Sequence, residues 1–200
     1  MRLHPYTGDS FCIFGNVIFL MSLNPSTTPV RIVLTGFMGS GKSTVGPLVA
    51  KKLRWKFIDV DDAIEEEAGT TIAQIFAQQG ESAFREIEHA TIARLAMEDN
   101  LVLALGGGAI EREETRKLLL GLPGTFLVHL EVKLETTLAR CGGTEGTRPV
   151  LADQPNLVAR YQRRMPLYRT AHASIHADDK TPGQVVDAVM IAAGLDQQVV

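Results

Sequence analysis

The stretch VLTGFMGSGKST, Val33 to Thr44, runs from an apolar, β-branched segment through three glycines to a lysine and a serine. The spacing Gly36-x-x-x-x-Gly41-Lys42-Ser43 follows a predicted strand, Arg31 to Gly36, and opens a predicted helix, STVGPLVAKKL. That is the setting in which such a loop cradles phosphate. Glycines let successive backbone N–H groups turn inward around an anion, and the helix N-terminus adds its dipole. Lys42 is placed to reach the outer phosphates, and the Ser43 hydroxyl to ligate Mg²⁺. A chance glycine-rich turn would leave the lysine, the serine and both flanking elements unexplained. A chain built around this unit is expected to be α/β, and the open question is what the nucleotide is for.

The rest of the chain continues the alternation. KFIDVD, Lys56 to Asp61, reads as a second strand, NLVLALGGG as a third, TFLVHLE as a fourth and ASIHAD as a fifth. Between them, TTIAQIFAQQG is a helix opened by a Thr71–Gln74 capping box and closed by Gly80. ESAFREIEHATIARLAMED is a longer amphipathic helix, and LETTLARC and NLVARYQRRMPLY are helices on either side of a glycine-rich, polar loop, CGGTEGTRPVL. TPGQVVDAVMIAAGL is a last helix, opened by Pro182. Pro47, in the second turn of the first helix, removes one N–H donor and is expected to loosen it locally. Strands alternating with helices imply a parallel sheet covered on both faces, with ligands beyond the C-terminal strand ends. Three strands end in chemically marked residues, TGFMGSGKS, DVD and GGG, which points to one shared site.

Two hundred residues suffice for one well-packed domain. Twenty lysines and arginines against 23 acids, mixed along the chain without a basic block, argue against a nucleic-acid partner. Cys12 and Cys141 lie far apart and outside any C-x-x-C pair, which offers neither a zinc site nor a disulfide framework and suits a cytoplasmic location. FCIFGNVIFLM, Phe11 to Met21, is shorter than the roughly 20 apolar residues of a membrane-spanning helix and lacks a clear cleavage site after it. Residues 1–29 are therefore expected to be a disordered leader or an over-extended start, with Met21 a candidate initiator, and residues 30–200 the working domain.

Use of the nucleotide is narrowed by what the chain contains. No N-K-x-D or D-x-x-G string occurs, so a GTPase timer is a poor fit, and a large mechanical ATPase needs more chain; a small phosphotransferase remains. Asp59 and Asp61, one residue apart at a predicted strand end, are expected to share a face beside the phosphate loop, where carboxylates hold Mg²⁺ or accept a hydroxyl proton. Two solvated loop acids are the plain alternative. Arg85, Arg148 and Arg164 are each unremarkable alone, as surface charges usually are. Gly106, Gly107 and Gly108 after a buried strand offer bare backbone to a ligand at close range.

GFMGSGKST followed by VG, then FIDVDDAIE, FREIE, LALGGG, TRPVL and RRMPLY, in this order and spacing, resembles the shikimate kinase family from Arg31 to Leu195. The resemblance implies a three-layer α/β/α nucleoside-monophosphate-kinase-like fold, with a five-stranded parallel sheet in the order 2-3-1-4-5 and a mobile lid. It implies transfer of the ATP γ-phosphate to the 3-hydroxyl of shikimate, in aromatic amino acid biosynthesis, by a monomeric cytoplasmic enzyme using Mg²⁺. Gly39, Ser40, Gly41, Lys42, Ser43 and Thr44 then form the ATP loop, with Ser43 and, through water, Asp59 at the metal. Asp61 holds the ring hydroxyls and is the candidate base. Arg85 and Arg164 clamp the shikimate carboxylate, and Gly106 to Gly108 wall the acceptor pocket. Arg148 becomes the lid arginine that closes over the phosphates, with Lys42 and Asp61 completing the catalytic set, and Arg140 lies near adenine.

The sequence departs from the family at Pro47, where arginine is common, and in the length of CGGTEGTRP, a residue longer between Arg140 and Arg148 than in some relatives. Cys141 is expected to be an exposed, inert thiol. Two rivals keep the phosphate loop: a gluconate-type kinase, which explains DVD, FR, GGG and RMPLY less well, and a catalytically silent nucleotide binder, against which every proposed position carries a competent residue.

Overall fold

The central strand β3 (Arg31–Thr35) is buried along its whole length, because an apolar, β-branched run flanked by parallel neighbours is covered on both faces. A computed structural model describes residues 10–14, 17–21, 28–141 and 154–196, with the backbone alone for the two strands before residue 22 and for residues 154–155. In it β3 pairs in parallel with β5 (Leu101–Ala104) and β6 (Thr125–Glu131). β5 pairs with β4 (Lys56–Asp59), and β6 with β7 (Ala173–His176). Counted along the chain, these five strands lie in the order 2-3-1-4-5, as the family resemblance implies.

The sheet is wider than five strands. β1 (Ser10–Phe14) and β2 (Val17–Met21) form an antiparallel hairpin whose second strand pairs with β7, Val17 opposite Ile175 and Phe19 opposite Ala173. The leader was expected to lack regular structure. Its apolar run, rich in β-branched and aromatic residues, instead meets the β7 edge of the parallel sheet, while β4 forms the opposite edge.

Side chains alternate between two cores with the period of the pleat. Val33, Leu101, Leu103 and Leu127 face one, and Ile32, Leu34, Val102, Val128 and Ile175 face the other, all at 1% exposure or less. Burying one such side chain contributes about 1.5–3 kcal/mol. The first core is closed by α2 (Val60–Ala68), α3 (Ile72–Leu95), α4 (Glu113–Gly121) and α6 (Gln154–Tyr168). The second is closed by α1 (Lys42–Leu53) and α7 (Pro182–Ala192), and α5 (Leu134–Cys141) follows β6. Pro47 lies inside α1 without ending it, and Gly46 beside it lies so close to Phe57 that a Cβ would fall 2.2 Å from the ring.

The capping box at Thr71 forms as expected, and a second one at Thr181 opens α7 behind Pro182. Gly80 has φ 81 and ψ 172, so α3 is two helical segments joined at a break, where the sequence places the end of one helix and the start of the next. Among the described residues no helix is long and apolar enough to cross a membrane.

Candidate active site

The phosphate loop occupies the turn between β3 and α1, with Gly39 and Gly41 at φ 72 and 98, a conformation that disfavours any side chain. Lys42 curls back over the loop: its Nζ donates to the carbonyls of Gly36 at 2.8 Å and Phe37 at 3.2 Å. At the first turn of α1, the Ser43 hydroxyl donates to Asp59 Oδ2 at 3.1 Å. Arg140, on α5, donates to the carbonyls of Gly39 (3.1 Å) and Ala177 (2.9 Å), tying the loop to the turn after β7.

The aspartate pair is arranged differently from the expectation of one strand face. β4 ends at Asp59, which caps α2 by accepting from the Asp61 N–H at 3.1 Å, and Asp61 lies in the first helical turn. The two carboxylates still converge on the phosphate loop, because an N-cap and the first turn face the same end of the sheet. Burial, reinforced by the Asp59 carboxylate, pushes the Asp61 carboxyl up to about 6, against the pull of Lys42 and Arg85.

Asp61 stands where two recesses meet. A cleft of about 950 Å³ runs along Gly39 to Val45, Asp59, Arg140 and Lys180. A second recess of about 540 Å³ is lined by Phe76, Phe84, Arg85, Glu88, Arg160 and Arg163. Asp61, Ile72, Gly106 to Gly108 and Arg164 form part of both walls. The glycine wall owes its composition to crowding: a Cβ on Gly106 would lie 2.6 Å from Asp61 Oδ1, and one on Gly108 2.4 Å from Arg85 Nη2.

Arg85 and Arg164 each have an internal partner. Arg85 donates to Glu88 at 2.7 Å and to Glu81 at 3.2 Å, and its guanidinium lies over the Phe84 ring. Glu88 is buried, and burial pushes its carboxyl up despite the neighbouring Arg85. Arg164 donates to Glu111 at 2.8 Å and lies over Phe37, its guanidinium centre 5.9 Å from the ring centroid. The Tyr168 hydroxyl donates to the Gly107 carbonyl at 2.5 Å, and its ring stacks on His129. His129 is held down at about 4 by burial, so it is neutral.

The expected residues Gly39 to Thr44, Asp59, Asp61, Gly106 to Gly108, Arg140 and Arg164 thus line one cleft, with Arg85 in the adjoining recess. Arg148 lies outside the described residues. Cys141 is not exposed: at 3% exposure it packs beneath the phosphate loop, where a Cβ on Gly39 would be 3.0 Å from its sulfur. Sequence reasoning missed Glu88, Glu111 and Tyr168. For Glu88 a signal existed, since it follows Arg85 by three residues on a helix and so shares its face.

A chain with a phosphate loop, an uplifted carboxyl and an arginine-lined recess joined in one cavity has relatives of the same plan. The family model described as shikimate kinase matches residues 38–193. A shikimate kinase of Moorella thermoacetica is 42% identical over 159 residues, covering 78% of this chain and 90% of the relative. One of Chlorobium phaeovibrioides is 41% identical over 167 residues, covering 78% and 83%. The solved structure of a shikimate kinase from Acinetobacter baumannii in complex with shikimate superposes with a TM-score of 0.78 at 33% identity, covering 85% of this chain and 96% of that one. With the model spanning most of the domain and two-fifths of aligned positions identical, this chain belongs to the shikimate kinase family.

Proposed function

We propose that this protein transfers the γ-phosphoryl group of ATP to the 3-hydroxyl of shikimate, giving shikimate 3-phosphate and ADP, with residues 30–200 as the catalytic unit. The observation that carries the reading is the position of Asp61, at the only stretch of wall shared by the described phosphate-loop cleft and the arginine-lined recess. A carboxyl there meets the hydroxyl of one substrate and the terminal phosphate of the other. Held near 6, it is ionised at neutral pH yet basic enough to take a proton.

In the reaction the 3-hydroxyl oxygen forms a bond to the γ-phosphorus while its proton passes to Asp61. The bond from the γ-phosphorus to the bridging oxygen breaks, and that electron pair leaves with ADP. Phosphoryl transfer needs little covalent help, so alignment and neutralisation of charge dominate. Gly39 to Thr44 cradle the phosphates, and Lys42 leaves its loop carbonyls to neutralise them. Arg140 borders the nucleotide end of the cleft, and Arg148 is assigned to the lid. Arg85 and Arg164 bind the acceptor carboxylate, each charge-assisted hydrogen bond contributing about 1.5–3 kcal/mol. Gly106 to Gly108 give the acceptor a wall of backbone.

Ser43 and Asp59 fit Mg²⁺, a hard cation that takes oxygen ligands and keeps several waters. Bound there, Mg²⁺ would neutralise charge on the β- and γ-phosphates. The two lone cysteines, outside any disulfide or zinc pattern, support a cytoplasmic enzyme, which we take to be a monomer.

The deciding experiment is ADP release with ATP and Mg²⁺ while shikimate, quinate and gluconate are offered in turn. Turnover with shikimate is expected. Turnover with gluconate alone overturns the substrate, and none with any of the three overturns the activity.

A further inference from the structure

Glu111 lies in a 3-10 turn, Ala109–Glu111, that directly continues the glycine wall. Its backbone is fixed from both sides: the N–H donates to the Gly108 carbonyl at 2.9 Å, and the carbonyl accepts from Arg116 at 2.9 Å. Its side chain reaches α6 and engages two consecutive arginines. Oε2 accepts from Arg164 Nη2 at 2.8 Å, and Oε1 accepts from Arg163 Nε at 2.8 Å. Both guanidiniums hold the carboxyl below its usual range, against partial burial, so Glu111 is a carboxylate at any working pH.

The two arginines differ in their surroundings. Arg163 is 64% exposed, whereas the Arg164 side chain is 9% exposed and its Nε is buried with no hydrogen-bond partner among the described residues. Arg164 Nη1 is directed at the glycine wall, 3.7 Å from where a Gly107 Cβ would stand. Glu111 therefore grips the guanidinium by one nitrogen and leaves another turned toward the cavity.

We infer that Glu111 is a positioning residue, holding Arg164 turned toward Gly107 before the acceptor anion arrives. The inference rests on reading the cavity as a shikimate kinase site. Two opposed effects bear on its sign. A carboxylate beside the clamp competes with an entering carboxylate, but Arg163 neutralises part of that charge and Nη1 faces Gly107 beside the uncharged Tyr168 hydroxyl. Orientation acts the other way. A long, flexible arginine that is already frozen loses little further freedom on binding, whereas a loose one loses several rotors at that moment. With Glu111 on Nη2 and Nη1 held toward Gly107 beside the Tyr168 hydroxyl, orientation dominates.

The test is steady-state kinetics of the full chain carrying Glu111→Gln and Glu111→Asp, alone and with Arg164→Ala, each checked for folding by thermal melting. Glu111→Gln is expected to raise the KM for shikimate by about 5–30-fold, less than the roughly 10–150-fold of losing a charge-assisted contact outright because Arg164 itself remains, with the KM for ATP unmoved. Glu111→Asp, which keeps the carboxylate, is expected to recover most of that loss. In the Arg164→Ala background Glu111→Gln should add nothing. An unchanged or lower shikimate KM, an equal rise in both KM values, or a full additive effect without Arg164 each overturns the inference. Wild-type protein that does not phosphorylate shikimate overturns the functional reading instead, and so the two failures are told apart.

Discussion

Asp61 is half-buried among charges of both signs, and the balance leaves its carboxyl at about 6. As the proposed base it must be ionised, so kcat/KM for shikimate is expected to fall as pH drops below about 6. Asp61→Asn removes proton acceptance while keeping shape, and turnover should drop by about 10²- to 10⁴-fold with the KM for ATP little changed. Unaltered turnover would remove Asp61 from the mechanism. Arg85 gives a complementary signature, since it contacts only the second recess. Arg85→Ala should raise the shikimate KM by about 10- to 150-fold, the equivalent of one charged hydrogen bond, and spare the ATP KM. Equal effects on both would mean that Arg85 does not hold the acceptor.

At the scale of elements, α3 is the informative case. Gly80, at φ 81 and ψ 172, breaks it where only glycine is comfortable, and a Cβ there would meet nothing. Gly80→Ala is therefore a pure test of backbone strain, expected to cost about 1–3 kcal/mol in a urea titration. No loss would mean that the helix simply straightens. This break was legible as QQG followed by a fresh amphipathic pattern, just as the phosphate loop, GGG and the Thr71 cap were legible from fixed local spacing. The DVD acids were harder, because a strand end and a helix N-cap share the same residues, and capping shortened the strand to Asp59. Glu111 and Tyr168 stayed hidden for a different reason. A glutamate after a turn looks like a solvated charge, and only contacts between distant segments, such as α6 against the glycine wall, make it a partner within the site. The leader hairpin likewise depends on an edge that β7, some 150 residues later, supplies.

For the molecule as a whole, Asp61 and His129 set opposing dependences of stability on pH. Asp61 is raised from 3.8 to about 6, so its contribution is fully present below 3.8 and is lost as pH rises through 6. His129 is lowered from 6.5 to about 4, so its contribution is present above 6.5 and is lost as pH falls through 4. Each amounts to at most about 3 kcal/mol, and over their shared window they largely offset. Asp61→Asn should uncover the histidine. At pH 7 the variant is expected to be more stable than wild type by up to about 3 kcal/mol, with the gain vanishing by about pH 4. Denaturant midpoints across that range measure it, and a pH-independent difference would contradict the assignment.

The wall common to both recesses carries a consequence for inhibitor design. Since the two recesses share Asp61, Ile72, the three glycines and Arg164 among the described residues, a single compound joining the proposed nucleotide and acceptor through a phosphate chain would bind its second half at a very high effective concentration. Its affinity should approach the product of the two separate ones, and either parent ligand alone should displace it only at great excess.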